Sequence, residues 1–168
     1  MRPQNPNDDR DHDRRRAFII AEFEDFCFVS THYSLYRNDR IRMSDSIINH
    51  PIAVRCINTR KPIFIAGDIN EQPFENDAML RFRTAGFEVL NDTTRTNEPQ
   101  VRPSRHLNER RYKDATRASG AMIDLILGYR QNPPNYEIFL RGVPYCFPKE
   151  YFMVMSDHFP YWVVVRLK

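Results

Sequence analysis

The chain has 168 residues, enough for one domain with a real core. Its 41% hydrophobic and 28% charged residues are ordinary for a globular domain, and no apolar run approaches the roughly 20 residues of a membrane-spanning helix. A net charge of +3 is too small to imply a nucleic-acid partner, although 21 of the 25 basic residues are Arg, whose planar fork grips phosphate oxygens in pairs.

Residues 1–16 are polar, charged and hold two prolines, so they read as a disordered or exposed lead-in. They contain no apolar core of the signal-peptide kind, which leaves the compartment open: cytoplasmic by default, secreted if an upstream signal exists. Asp11, His12 and Asp13 resemble metal ligands, but in such a segment a solvated charge run is the better reading. Ala17–Phe23 and Phe26–Ser30 read as two strands joined by a tight turn at Glu24 and Asp25. Both are apolar at nearly every position, the pattern of a sheet covered on both faces. The second runs into T-H-Y-S-L, which puts His32 just past a buried strand, either as a loop histidine or as a group presented at a strand end. Cys27, Cys56 and Cys146 are odd in number and lack metal-binding spacing, so Cys27 reads as a reduced core residue and a disulfide framework is not expected.

Asn38–Asn58 carries Ile at near-helical spacing and predicts an amphipathic helix that Pro51 kinks or splits. Pro62–Pro73 (P-I-F-I-A-G-D-I-N-E-Q-P) follows. Ile63–Ala66 is a buried-strand run that Gly67 breaks, and Asp68 and Asn70 come next at a spacing of two. On a strand end that spacing puts both side chains on one side; as a turn, it is the Asp/Asn chemistry that turns favour. Glu75–Thr84 is a helix stopped by Gly86, and Phe87–Leu90 is a short strand. Asn91–Ser119 is a long basic loop, open either to a polyanionic substrate or to solvent. Ala121–Leu127 is a strand with Asp124 in its middle, where burial requires a partner. Tyr136–Leu140 is a further strand, and the aromatic residues of Pro144–Met155 read as core rather than as a substrate rim. Ser156-Asp157-His158 precedes a final strand, Tyr161–Leu167.

Four motifs thus stand in order at strand ends or within strands: T-H-Y-S-L, G-D-I-N, I-D-L-I and S-D-H. Together they resemble the signature of the endonuclease/exonuclease/phosphatase family, over about Ala17 to the C-terminus. The resemblance implies an α/β fold, the deoxyribonuclease I-like four-layer sandwich with mixed sheets. It implies a metal-dependent phosphoesterase acting on a phosphodiester or phosphomonoester, with Mg²⁺ as the usual ion and Mn²⁺ as the alternative. Carried over position by position, Asp68 and Asn70 would orient the attacking water and hold the phosphate. Asp157 would ligate the metal, with Asp68 beside it. His158 would stabilise charge on the phosphate, Asp124 would fix His158 in orientation and tautomer, and His32 would be a second phosphate-contacting or acid/base histidine. The substrate would be a phosphate ester: nucleic acid, phospholipid headgroup or sugar phosphate.

The family domain runs to about 250 residues, beyond this chain's length. An Asn motif and a metal-ligating Glu near the family's N-terminus have no counterpart here. Residues 17–168 are therefore expected to be a partial domain with apolar surface left uncovered, its N-terminal segment lost by truncation, left out by a start codon placed too far downstream, or supplied by another chain, the first two being favoured. A non-catalytic phosphate- or nucleic-acid-binding remnant is the alternative function.

Overall fold

The computed structural model describes residues 16–94, 116–117, 121–143 and 158–168. Of the expected lead-in this includes only Arg16. Asp157, Cys146, the aromatic loop and most of the basic loop lie outside the described residues.

Among the described residues, strands and helices follow in the order β1 (Phe18–Glu22), β2 (Cys27–His32), α1 (Arg37–Ile48), α2 (Pro51–Asn58), β3 (Ile63–Asp68), α3 (Ala78–Thr84), β4 (Phe87–Val89), β5 (Asp124–Tyr129), β6 (Tyr136–Gly142) and β7 (Trp162–Leu167). Five strands form one mixed sheet in the order β1-β2-β3-β5-β4, and β6 and β7 form an antiparallel pair. Within that sheet β2 and β3 run parallel, joined by the α1–α2 crossover.

Pro51 splits the helical stretch as its chemistry demands. It occupies the first turn of α2, where its missing N–H is harmless, and His50 caps that helix by accepting from Ile52 N. The helix expected from Glu75 starts later, at Ala78, because the buried Glu71 carboxylate accepts the backbone N–H groups of Asp77, Ala78 and Met79. Gly86 stops α3 with a left-handed φ of 96°.

Strand alternation divides the core in two. Cys27, Val29, Ile63, Ile65, Leu125 and Leu127 face the helices and pack on Ile47, Cys56, Met79 and Phe82. On the other face Phe64, Phe28 and Ile126 meet Tyr136, Val163 and Val165 of the small sheet. Helices, large sheet and small sheet are three layers of the expected deoxyribonuclease I-like sandwich.

Coverage on both faces holds for β3 and β5, only in part for β2, whose Ser30 and His32 are exposed, and least for β1. Ile19 of β1 is 73% exposed and Phe23, just past it, 50%, because the two-stranded sheet does not reach the edge. An apolar groove of about 470 Å³, lined by Phe26, Phe28, Phe64, Trp162 and Val163, opens between the sheets beside this shelf. Exposed apolar side chains also lie on the small sheet, among them Phe139 and Leu140 of β6 and Val164 of β7.

The cysteine reading needs correction. Cys27 and Cys56 form a disulfide that ties β2 to α2 inside the core. Their spacing carried no sign of it because the crossover, not the sequence, brings strand and helix face to face.

Candidate functional site

Strand register assembles the site. His32 stands opposite Asp68 in the β2–β3 pair, and Asp68 stands opposite Asp124 in the β3–β5 pair. Three chemically active side chains thus occupy one row across three adjacent strands. Directly paired residues share a face, and by alternation with Phe64 and Ala66 that face is the one turned toward the small sheet. Asp124 belongs to this row because it begins β5 rather than lying mid-strand as expected. Residues 121–123 lie outside the strand, and Thr116 N and Arg117 N both donate to Ala121 O.

His158 closes the row. Its Nδ1 lies 2.8 Å from Asp124 Oδ2, and its Nε2 lies 3.9 Å from Asp68 Oδ2. A carboxylate can only accept, so Nδ1 carries the proton of the short contact. His32 Nε2 lies 3.5 Å from the same Asp68 oxygen, and Arg16 reaches His32 Nδ1 at 3.2 Å. Burial pushes the Asp68 carboxyl above the usual carboxylate range. The Asn70 backbone N–H opposes that shift, Asp124 reinforces it, and the two histidines oppose it.

Asn70 does not share a strand face with Asp68, because β3 ends at Asp68. Asn70 sits in a turn with φ 52°, a left-handed conformation that Asn tolerates. Its backbone N–H donates to Asp68 Oδ1 at 2.8 Å, and its Nδ2 donates to Tyr33 O at 2.8 Å. The turn reading of G-D-I-N holds, and the turn locks the Asp68 carboxylate in place. Gly67 is required for a separate reason. Its φ is 151°, and a Cβ there would overlap the Thr31 carbonyl oxygen of β2.

The structure therefore brings His32, Asp68, Asn70, Asp124 and His158 to one rim, beside an open cavity of about 470 Å³ lined by Gly67, Asp124, His158, Phe159 and Tyr161. Supporting residues escaped the sequence. Asn91 accepts from Ile126 N and donates to Asp124 O, which pins the end of β5. Buried Glu71, whose carboxyl burial pushes up, ties the loop after Asn70 to α3 and to Arg40. A polar residue beside a turn was the only available signal for either. Ligand atoms of Asp68, Asp124 and His158 all lie within 4.8 Å of one another, a set that could hold a metal ion.

A scan against protein-family models finds no match, and a search of curated proteins finds no significant one. Solved structures do match the fold. The human Nocturnin catalytic domain superposes with a TM-score of 0.60 at 12% identity, over 90% of this chain and 52% of that one. An endonuclease/exonuclease/phosphatase from Bacteroides vulgatus gives 0.55 at 18% identity, over 85% of this chain and 51% of that one. A mannosyl-6-phosphatase from Bacteroides thetaiotaomicron gives 0.53 at 16% identity, over 84% and 51%. The fold is that of the endonuclease/exonuclease/phosphatase structures, and the chain spans about half the length of those it matches.

Proposed function

We propose that this chain carries the phosphate-handling site of a metal-dependent phosphoesterase. The observation that supports it best is the row of His32, Asp68 and Asp124 with His158 closing it, four groups from three strands and a distant segment gathered on one rim. Hydrolysis joins a water oxygen to phosphorus as the P–O ester bond breaks, and the leaving oxygen takes up a proton. Such a reaction needs an oriented nucleophile and positive charge facing the phosphoryl oxygens.

On this reading His158, tied by Nδ1 to Asp124, acts in its imidazolium form, donating from Nε2–H to a phosphoryl oxygen and stabilising the charge that builds there. The 3.9 Å between Nε2 and Asp68 leaves room for a bridging oxygen. Asp68, locked by the Asn70 turn, orients the attacking water, and His32 flanks the same carboxylate. The donor set fits a divalent cation: two carboxylates, the hard ligands that Mg²⁺ and Mn²⁺ prefer, lie beside an imidazole. Asp68 would hold the ion with Asp124 in reach, Asp157 being the further ligand that the family resemblance implies, and the ion would neutralise phosphoryl charge.

The test is hydrolysis of bis(p-nitrophenyl) phosphate by the chain with Mg²⁺, with Mn²⁺ and with EDTA, in wild type and His158→Ala. Turnover is expected only with the metal and the histidine; turnover that survives both losses overturns the site. A second reading is a phosphate-binding domain without turnover, which the gathered His32 and His158 beside an open cavity would also suit. It expects binding of phosphate or nucleic acid without metal, weakening as salt rises.

A further inference from the structure

His158 and Asp124 lie 34 positions apart, yet their contact is 2.8 Å. Among the described residues His158 pairs with Arg117 through an isolated bridge, and Asp124 is the first residue of β5. Next to Arg117, Thr116, which has no exposed surface, bonds to both segments. Its Oγ1 accepts the backbone N–H groups of Ile123 at 3.0 Å and of Asp124 at 3.1 Å. Its carbonyl oxygen accepts the N–H of Phe159, next to His158, at 2.7 Å. One residue therefore grips the backbone on both sides of the imidazole–carboxylate contact.

We propose that Thr116 is the positioning residue of the His158–Asp124 pair, setting their separation through its hydroxyl on one side and its carbonyl on the other. The hydroxyl is the part a substitution can remove. Thr116→Val keeps the β-branched shape and the carbonyl, but leaves two buried N–H groups of Ile123 and Asp124 without an acceptor. The start of β5 then shifts while Phe159 stays held, and the two ring partners drift apart. Thr116→Ser restores an acceptor at the same position.

The turnover arm of the test rests on the function proposed above; the spectroscopic arm does not. With bis(p-nitrophenyl) phosphate and Mg²⁺, Thr116→Val is expected to lower kcat by about 10²-fold, the loss that follows a displacement of about 1 Å. KM should stay within about twofold, and Thr116→Ser should recover most of kcat. Independently, at a pH where the ring is neutral, long-range ¹⁵N–¹H correlations report which nitrogen of His158 carries the proton. Nδ1 should carry it in wild type and in Thr116→Ser, and the preference should be lost in Thr116→Val. If wild type shows no turnover, the function fails while the tautomer still decides the positioning role. An unchanged tautomer in Thr116→Val, or no Nδ1 preference in wild type, overturns the inference. Should Thr116→Val fail to fold, amide exchange in wild type decides. Slow exchange at Ile123, Asp124 and Phe159 supports the clamp, and exchange at loop rates overturns it.

Discussion

Gly67→Ala tests how the site strand is built. The native φ of 151° is one that L side chains rarely adopt. An added Cβ would also overlap the Thr31 carbonyl oxygen and lie 2.8 Å from its carbon. Those are backbone atoms of a paired strand, so no flexible side chain can move aside. Backbone strain of this kind costs about 1–3 kcal/mol, and forced overpacking adds a similar amount. A loss of about 3 kcal/mol is therefore expected. With a urea m-value of about 2 kcal/mol/M, that lowers the midpoint by about 1.5 M. The assay is urea unfolding followed by far-UV circular dichroism, with the disulfide intact in both proteins. A loss below about 1 kcal/mol would refute the reasoning, because it would mean that β2 and β3 separate freely at Thr31.

Asp124→Asn keeps the shape of the His158 partner but removes its charge, and should lower turnover of bis(p-nitrophenyl) phosphate by about 10²–10⁴-fold. Asp68→Asn should abolish the stabilisation that added Mg²⁺ gives, read as a shift in Tm. Burial raises the Asp68 pKa, so the fold favours its protonated form. That contribution is complete below the ordinary value of 3.8 and is lost as pH rises through the raised one. The metal-free Asp68→Asn protein should therefore melt higher than wild type at pH 7.5 and no higher at pH 3. Glu71→Ala leaves three backbone N–H groups at the start of α3 without their acceptor and should cost about 2–3 kcal/mol in urea unfolding. Thiol titration in denaturant without reductant should count one free cysteine, Cys146, not three.

The parts of the fold legible in the sequence are those whose cause is local. Pro51 divides the helices because it lacks an N–H, and Ile63–Ala66 makes a strand because an apolar run fits a buried one. Asp68 and Asp124 stood out because carboxylates interrupt apolar stretches and need partners. Their meeting with His32 and His158 was read from a family resemblance, since register between strands leaves no mark in any one of them. What stayed hidden depended on long-range geometry. Thr116 lies within an irregular basic stretch, and its value comes from touching two segments at once. The Cys27–Cys56 bridge depends on how a crossover packs its helix. The exposure of β1 depends on how far a second sheet extends, which no property of Ile19 or Phe23 records.

The row formed by His32, Asp68 and Asp124 makes chemistry hostage to alignment. Sliding β2 or β5 by a single residue against β3 would rotate one of the three groups through the sheet, into the apolar layer beneath the helices. Single-residue insertions should be absorbed where the chain turns between strands. Within any of the three strands, one added or deleted residue should dismantle the row at a stroke, with no partially competent version in between.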